Sequence, residues 1–136
     1  MDETDIYAGV GGEQPFYDLV EEFYRRVEAD APLRALYPEN LTAGKKRLAW
    51  FLIQRFGGPE LFNERRGAPR LRMRHFEFAI TPAIRDAWVG NMLAAIDSVP
   101  EFAPYKEIMR GYFADAATFL INRQEPSEGS VRLNSI

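Results

Sequence analysis

The sequence predicts an all-α domain. Two observations carry this: apolar residues recur at three- and four-residue spacing over several long stretches, and no stretch alternates apolar and polar residues for long enough to make a convincing strand. A third bounds the size: 136 residues, 46% hydrophobic and 13% aromatic, make one domain with material for a real core. No internal repeat is visible.

The elements follow in order. Residues 1 to 12 begin acidic and end in Gly9-Val10-Gly11-Gly12, where the glycine pair permits a sharp bend with positive φ. From Gln14 to Ala29, Phe16, Leu19, Val20, Phe23 and Val27 share one helical face, and Pro15 suits the first turn. Tyr24 stands at the edge of that face. Asp30-Ala31-Pro32 breaks the helix, and Leu33 to Tyr37 forms a short helical piece ended by Pro38. With Thr42 as N-cap, a helix runs from Ala43 to Phe56 and turns Leu48, Phe51, Leu52 and Phe56 inward. Gly57-Gly58-Pro59 stops it. Residues 59 to 70 read as a long loop, and Leu71 to Phe76 leaves room for one or two helical turns. Thr81 caps the next helix, Pro82 opens it, and Ile84, Trp88, Met92, Ala95, Ile96 and Val99 line one side. Pro104 starts a last helix with Ile108, Tyr112, Ala116, Phe119 and Leu120 as its inward stripe. Beyond Asn122 the composition turns to Gln, Glu, Pro, Ser and Gly, and residues 123–136 are expected to be a disordered tail.

Composition excludes several classes. A net charge of -3 does not suit a nucleic-acid binder. No apolar run approaches the roughly 20 residues of a membrane span, and the acidic N-terminus lacks the apolar stretch of a signal peptide. The absence of cysteine excludes a disulfide scaffold and is compatible with a cytoplasmic location.

The candidate chemistry lies in Gly67-Ala68-Pro69-Arg70-Leu71-Arg72-Met73-Arg74-His75-Phe76, which holds the only histidine. A metal site built from side chains alone wants three or four ligands. One histidine suffices when a porphyrin supplies four nitrogens to iron, and the two haem propionates need cations such as these arginines. A surface or core histidine beside a solvated arginine face explains the same residues. Met73, Met92 and Met109 leave a His/Met electron-transfer haem open, although their spacing does not favour it.

Read together, the landmarks are more specific. A glycine pair precedes the first long helix, which carries Phe23-Tyr24. Tyr37-Pro38 follows at the far turn, then Phe56-Gly57-Gly58-Pro59, Gly67, the run from Pro69 to His75, and Arg85-Asp86-Ala87-Trp88. In this order and spacing the chain closely resembles the truncated haemoglobins, group II, over residues 5 to 122. The resemblance implies a globin-like, two-over-two helical sandwich around haem b, with a truncated globin domain at residues 1–122. It matches His75 to the proximal iron ligand, Tyr24 to the distal-pocket tyrosine, and Tyr37 to the variable pocket residue after it. Trp88 matches the tryptophan that separates groups II and III from group I. Arg47 and Arg74 match the cations that pair with propionates. Leu48, Phe51, Phe62, Arg66, Leu71 and Phe78 complete the implied cofactor contacts, with Trp88 and His75 themselves. Two departures stand out. The loop from Pro38 to Lys45 is about one residue shorter than in close relatives, which leaves either Gly44 or Ala43 at the distal entry. Phe62 stands where relatives often carry a propionate-bonding tyrosine.

The implied activity is dioxygen binding, tight and slowly released because the O–H and N–H groups of Tyr24, Tyr37 and Trp88 stabilise the negative charge of the bound gas. Nitric oxide, carbon monoxide and peroxide are further ligands to expect. An enzyme on the same site, for nitric oxide dioxygenation or peroxidase turnover, is the alternative. It would need a separate reductase, since no flavin or nicotinamide fingerprint is present. A haem-free helical module that binds an anionic partner through the arginine-rich loop is the third reading. The oligomeric state is not set, a homodimer being one option.

Overall fold

The computed structural model describes residues 2–125, which contain helices and turns and no strand. After a 3-10 turn at Glu3–Asp5 come α1 (Ile6–Gly9), α2 (Gln14–Glu28), α3 (Ala31–Arg34) and α4 (Thr42–Arg55). They are followed by α5 (Leu61–Arg66), α6 (Leu71–His75), α7 (Pro82–Asp97), a 3-10 turn at Pro100–Tyr105, and α8 (Lys106–Phe119). Four long helices make the frame: α2 packs on α4 and α7, and α7 packs on α8.

The start of α7 is as expected, with the Thr81 side chain accepting from Ile84 N–H and Pro82 in the first turn. Elsewhere the local chemistry differs from the sequence reading. Asp30 does not only break a helix; its carboxylate accepts from Leu33 N–H at 3.3 Å and so caps α3, which starts two residues earlier than Leu33. Thr42 is not an N-cap but the first residue of α4, and Asn40 Oδ1 accepts from its N–H at 3.0 Å. The stretch 59 to 70 contains α5, tied to α4 by Gln54, which donates to Asn63 Oδ1 (3.0 Å) and accepts from Asn63 N–H (2.9 Å). Pro104 lies in the 3-10 turn before α8 rather than opening that helix.

The inward faces also shift, for one physical reason. On α8 the buried residues are Met109, Phe113 and Ala117, whereas Phe119 is 58% exposed. On α4 they are Ala49, Leu52 and Ile53, with Phe56 buried at the cap, while Leu48 and Phe51 are half-buried. Val89 is buried on α7, whereas Ile84 and Trp88 are half-buried. Each of these helices carries two apolar stripes. One meets the protein core and the other lines the cavity described below, so a single-stripe reading merges them.

Aromatic rings run through the core. Phe16, fully buried, contacts Tyr7 (6.1 Å between centroids), Phe56 (6.2 Å) and Phe102 (5.2 Å). Phe56 continues to Phe113 (6.0 Å), Phe113 to Trp88 (5.6 Å), and Trp88 to Phe23 (5.0 Å). Such edge and offset contacts add about 0.5–1.5 kcal/mol each beyond area burial.

The end of α4 explains the second glycine pair. Gly57 has φ of +101°, and a Cβ there would lie 1.9 Å from the Thr4 carbonyl oxygen. The N-terminal turn therefore rests directly on this backbone, with Tyr7 N–H donating to Phe56 carbonyl at 2.9 Å and Glu3 paired with Arg55.

Of the expected tail, residues 126–136 lie outside the described residues. Glu125 still accepts a hydrogen bond from Ala83 N–H at the start of α7.

Gly57→Ala should lower stability by more than Gly11→Ala, a left-handed position (φ +89°) with nothing within 4 Å of an added Cβ. The latter carries only the conformational cost of about 1–2 kcal/mol. Urea unfolding of both variants measures the difference, and equal losses would contradict the close approach of Thr4.

Candidate ligand-binding site

A cavity of about 610 Å³ opens between the four long helices, α3 and α6. Every residue that the resemblance matched to the cofactor or its ligand borders it: Tyr24, Tyr37, Arg47, Leu48, Phe51, Phe62, Arg66, Leu71, Arg74, His75, Phe78 and Trp88, whereas Met73, Met92 and Met109 do not. A second depression, of about 590 Å³, lies among charged residues such as Glu21, Glu22, Lys45 and Glu101 and brings together none of them.

One wall is α6 and the loop before it. Arg70 takes a left-handed conformation (φ +44°, ψ +57°), unusual for a residue with a side chain, and turns the chain into α6. The imidazole Nδ1 of His75 lies 2.6 Å from the Leu71 carbonyl oxygen. A carbonyl only accepts, so Nδ1 carries the hydrogen, and in the neutral imidazole the lone pair is on Nε2. Arg74 knits the loop: Nε donates to Pro69 carbonyl (2.6 Å) and Nη2 to those of Arg66 (2.8 Å) and Ala68 (3.2 Å). Nη1 of Arg74 has no such partner among the described residues, and the guanidinium lies 5.3 Å from the Phe62 ring centre.

Another part of the lining is aromatic. Tyr24 on α2 meets Tyr37 edge-on at 5.6 Å, and Phe23, the neighbour of Tyr24, packs on Trp88 of α7. Burial pushes the Tyr24 phenol well above its usual range, with Tyr37 adding to the rise and Arg47 opposing it. Burial pushes Tyr37 up to about 12, and the Trp88 indole beside it pulls the other way. Both phenols are therefore protonated donors at neutral pH. Between Ala43 and Gly44, the cavity takes Gly44, while Ala43 is exposed. A Cβ at Gly44 would lie 2.8 Å from the Tyr24 hydroxyl, so the missing side chain leaves that hydroxyl its place.

Arg47 borders the cavity and forms no ion pair among the described residues. Arg85, which sequence reasoning used only as a landmark, also reaches the cavity, donating to Thr118 Oγ1 (3.0 Å) and Ala114 carbonyl (3.2 Å). Tyr112 and Ala116 of α8 and Leu120 just past its end line it too. Their four-residue spacing was readable as an apolar stripe, but nothing in it separates a cofactor surface from a helix-packing surface.

A model of the bacterial-like globin family matches residues 5–122. The chain belongs to this family, as a group II truncated haemoglobin. It is 35% identical to the group 2 truncated haemoglobin YjbI of Bacillus subtilis (strain 168), over 88% of this chain and 90% of that protein. It superposes on the haemoglobin of Chloroflexus aurantiacus with a TM-score of 0.84 at 49% identity, covering 87% of this chain and 98% of that one. For the group II truncated haemoglobin of Bacillus anthracis the values are 0.85 and 33%, covering 88% and 98%. The four long helices are thus the two-over-two sandwich of truncated globins, and the family carries with it haem and oxygen binding.

The residues present fit a haem. Among the described residues no group of three or more His, Cys, Asp or Glu side chains is placed to hold a metal ion. A porphyrin needs only one protein nitrogen, and His75 borders the cavity with an imidazole to offer. The slot is largely hydrophobic, with arginines at its border. Among the described residues no helix is long and apolar enough to cross a membrane.

Tyr24, Tyr37 and Tyr112 are all shifted upward, chiefly by burial. Above pH 10 the unfolded chain ionises these phenols while the folded chain retains their protons. The unfolded state then binds fewer protons, and stability falls as pH rises. For Tyr37 the loss runs from pH 10 to about 12. Chemical denaturation across that range should show Tyr37→Phe with a shallower decline than wild type, and parallel curves would remove Tyr37 from the account.

Proposed function

We propose that the chain binds dioxygen at a haem b seated in this cavity, with His75 as the axial ligand and Tyr24, Tyr37 and Trp88 holding the bound gas. One observation carries the reading: His75, its Nδ1 engaged by the Leu71 carbonyl, lines one cavity together with three hydrogen-bond donors, Tyr24, Tyr37 and Trp88. Haem, when bound, supplies the iron on which a diatomic gas is held.

The protein's own groups do the rest. The Nδ1–H bond to Leu71 fixes the tautomer and ring orientation of His75. Arg47, without an ionic partner, and Nη1 of Arg74 are the cations available to the propionates. Phe62 replaces a tyrosine at the rim, so one propionate hydrogen bond is missing on that side. Leu48, Phe51, Leu71 and Phe78 supply apolar contact, and Arg66 adds a further cation at the border.

No protein acceptor takes the Tyr24 hydroxyl among the described hydrogen bonds, and its raised pKa keeps the proton in place. Its acceptor is then the ligand. One neutral hydrogen bond contributes about 0.5–1.5 kcal/mol net, and two or three together slow release by about one to three powers of ten. Tight binding with slow release suits scavenging, sensing or redox chemistry better than bulk delivery. The Bacillus subtilis relative of known structure is itself an oxygen-avid haemoglobin. We place the protein in the cytoplasm, consistent with its cysteine-free composition. A separate reductase would restore ferrous iron.

Three variants test this. His75→Ala should abolish the sharp Soret band formed with stoichiometric haemin. Tyr24→Phe and Trp88→Phe should each speed oxygen release by about three- to tenfold in stopped-flow measurements. Release unchanged in both would sink the donor account and leave the haem assignment standing.

A further inference from the structure

From Asn63 to Ala79 no residue is buried, so α6 is not anchored by side chains in the core. The His75 segment must be positioned by polar bonds, and those reaching it from across the fold converge on one residue. Asn122, just past the end of α8, donates from Nδ2 to the His75 carbonyl at 3.2 Å. Its Oδ1 accepts from Ile80 N–H at 2.9 Å, and its own N–H donates to Ile80 carbonyl at 2.9 Å. The amide orientation follows from its partners, since a carbonyl can only accept and a backbone N–H can only donate. Ile80 is the first buried residue after Phe62. One side chain thus spans the turn that joins α6 to the core, holding both its ends.

We infer that Asn122 is a positioning residue for His75, setting the azimuth and mobility of the imidazole toward the haem without touching the cofactor. This rests on the assignment of His75 as axial ligand. The bonds within α6 and its loop, His75 to Leu71 and Arg74 to the carbonyls of residues 66, 68 and 69, hold the segment to itself. Asn122 ties it by hydrogen bonds to the end of α8, and the segment's other cross-links among the described residues are the guanidinium of Arg72 over the Phe119 ring and that of Arg74 over the Phe62 ring. The main-chain bonds from residues 122 and 123 to Ile80 carbonyl do not involve the Asn122 side chain, so they remain available in the Asp and Ala variants.

The side chain has two separable functions. Asn122→Asp keeps the acceptor for Ile80 N–H but loses the donor, and sets a carboxylate oxygen against the His75 carbonyl. Asn122→Ala loses both. The test uses the holoprotein, full chain, reduced and free of gas. Resonance Raman reads the iron–histidine stretching band, transfer of haem to apomyoglobin reads cofactor release, and circular dichroism reads the melting temperature. Both variants should shift or broaden the band, and Asn122→Asp should release haem about three- to tenfold faster, the factor one lost hydrogen bond carries. A lowered melting temperature with an unmoved band and unchanged haem release in both variants overturns the inference and makes Asn122 merely structural. A wild-type spectrum without an iron–histidine band overturns the assignment of His75 itself, and this inference with it.

Discussion

The crossing of α2 and α7 is the contact on which the remaining geometry depends. Phe23, fully buried, meets Trp88 at 5.0 Å, and Trp88 passes the contact to Phe113 on α8. Three long helices are locked by three rings. The same crossing sets the site, because Tyr24 follows Phe23 on the helix and points one position round from it. The buried ring fixes the rotation of α2, and that rotation carries the Tyr24 hydroxyl to the cavity beside Gly44. Core packing and pocket chemistry are therefore one problem here. A change that lets Phe23 move would move the donor as well.

This coupling explains which parts of the molecule were legible in the sequence. α2 was read almost residue for residue, since it has a single buried face of Phe16, Leu19, Val20, Phe23 and Val27. The start of α7 was equally plain, because Thr81-Pro82 fixes it by local chemistry alone. α4 and α8 were located, but their faces were misassigned. Leu48 and Phe51, or Tyr112, Ala116 and Leu120, satisfy helical spacing as well as the core residues beside them, and hydrophobicity does not report whether the partner is a helix or a porphyrin. α5 was missed because its six residues, Leu-Phe-Asn-Glu-Arg-Arg, hold too short a pattern to show a period.

The candidate site was legible to a different depth. The sequence order of glycine pairs, Tyr24, Tyr37, His75 and Trp88 marked the residues that the fold gathers around one cavity. What it did not contain were relationships between distant backbone groups. The short loop before α4 left Gly44 and Ala43 undecided until the approach to Tyr24 was visible. Asn122 lies 47 residues from His75, and an asparagine past a helix end has no sequence signature that names the carbonyl it will bond. Arg74 matched a propionate partner, yet most of its fork is engaged with the loop's own carbonyls, so it holds the wall of the cavity that it borders.

The stretch from Asn63 to Ala79, with no buried residue, divides the selective pressures acting on the gene. The helical core is completed without it, so a substitution there bears on the wall of the cavity rather than on core packing. The stretch is also where a laboratory lineage could exchange one porphyrin or metal for another while the sandwich around it stays as it is.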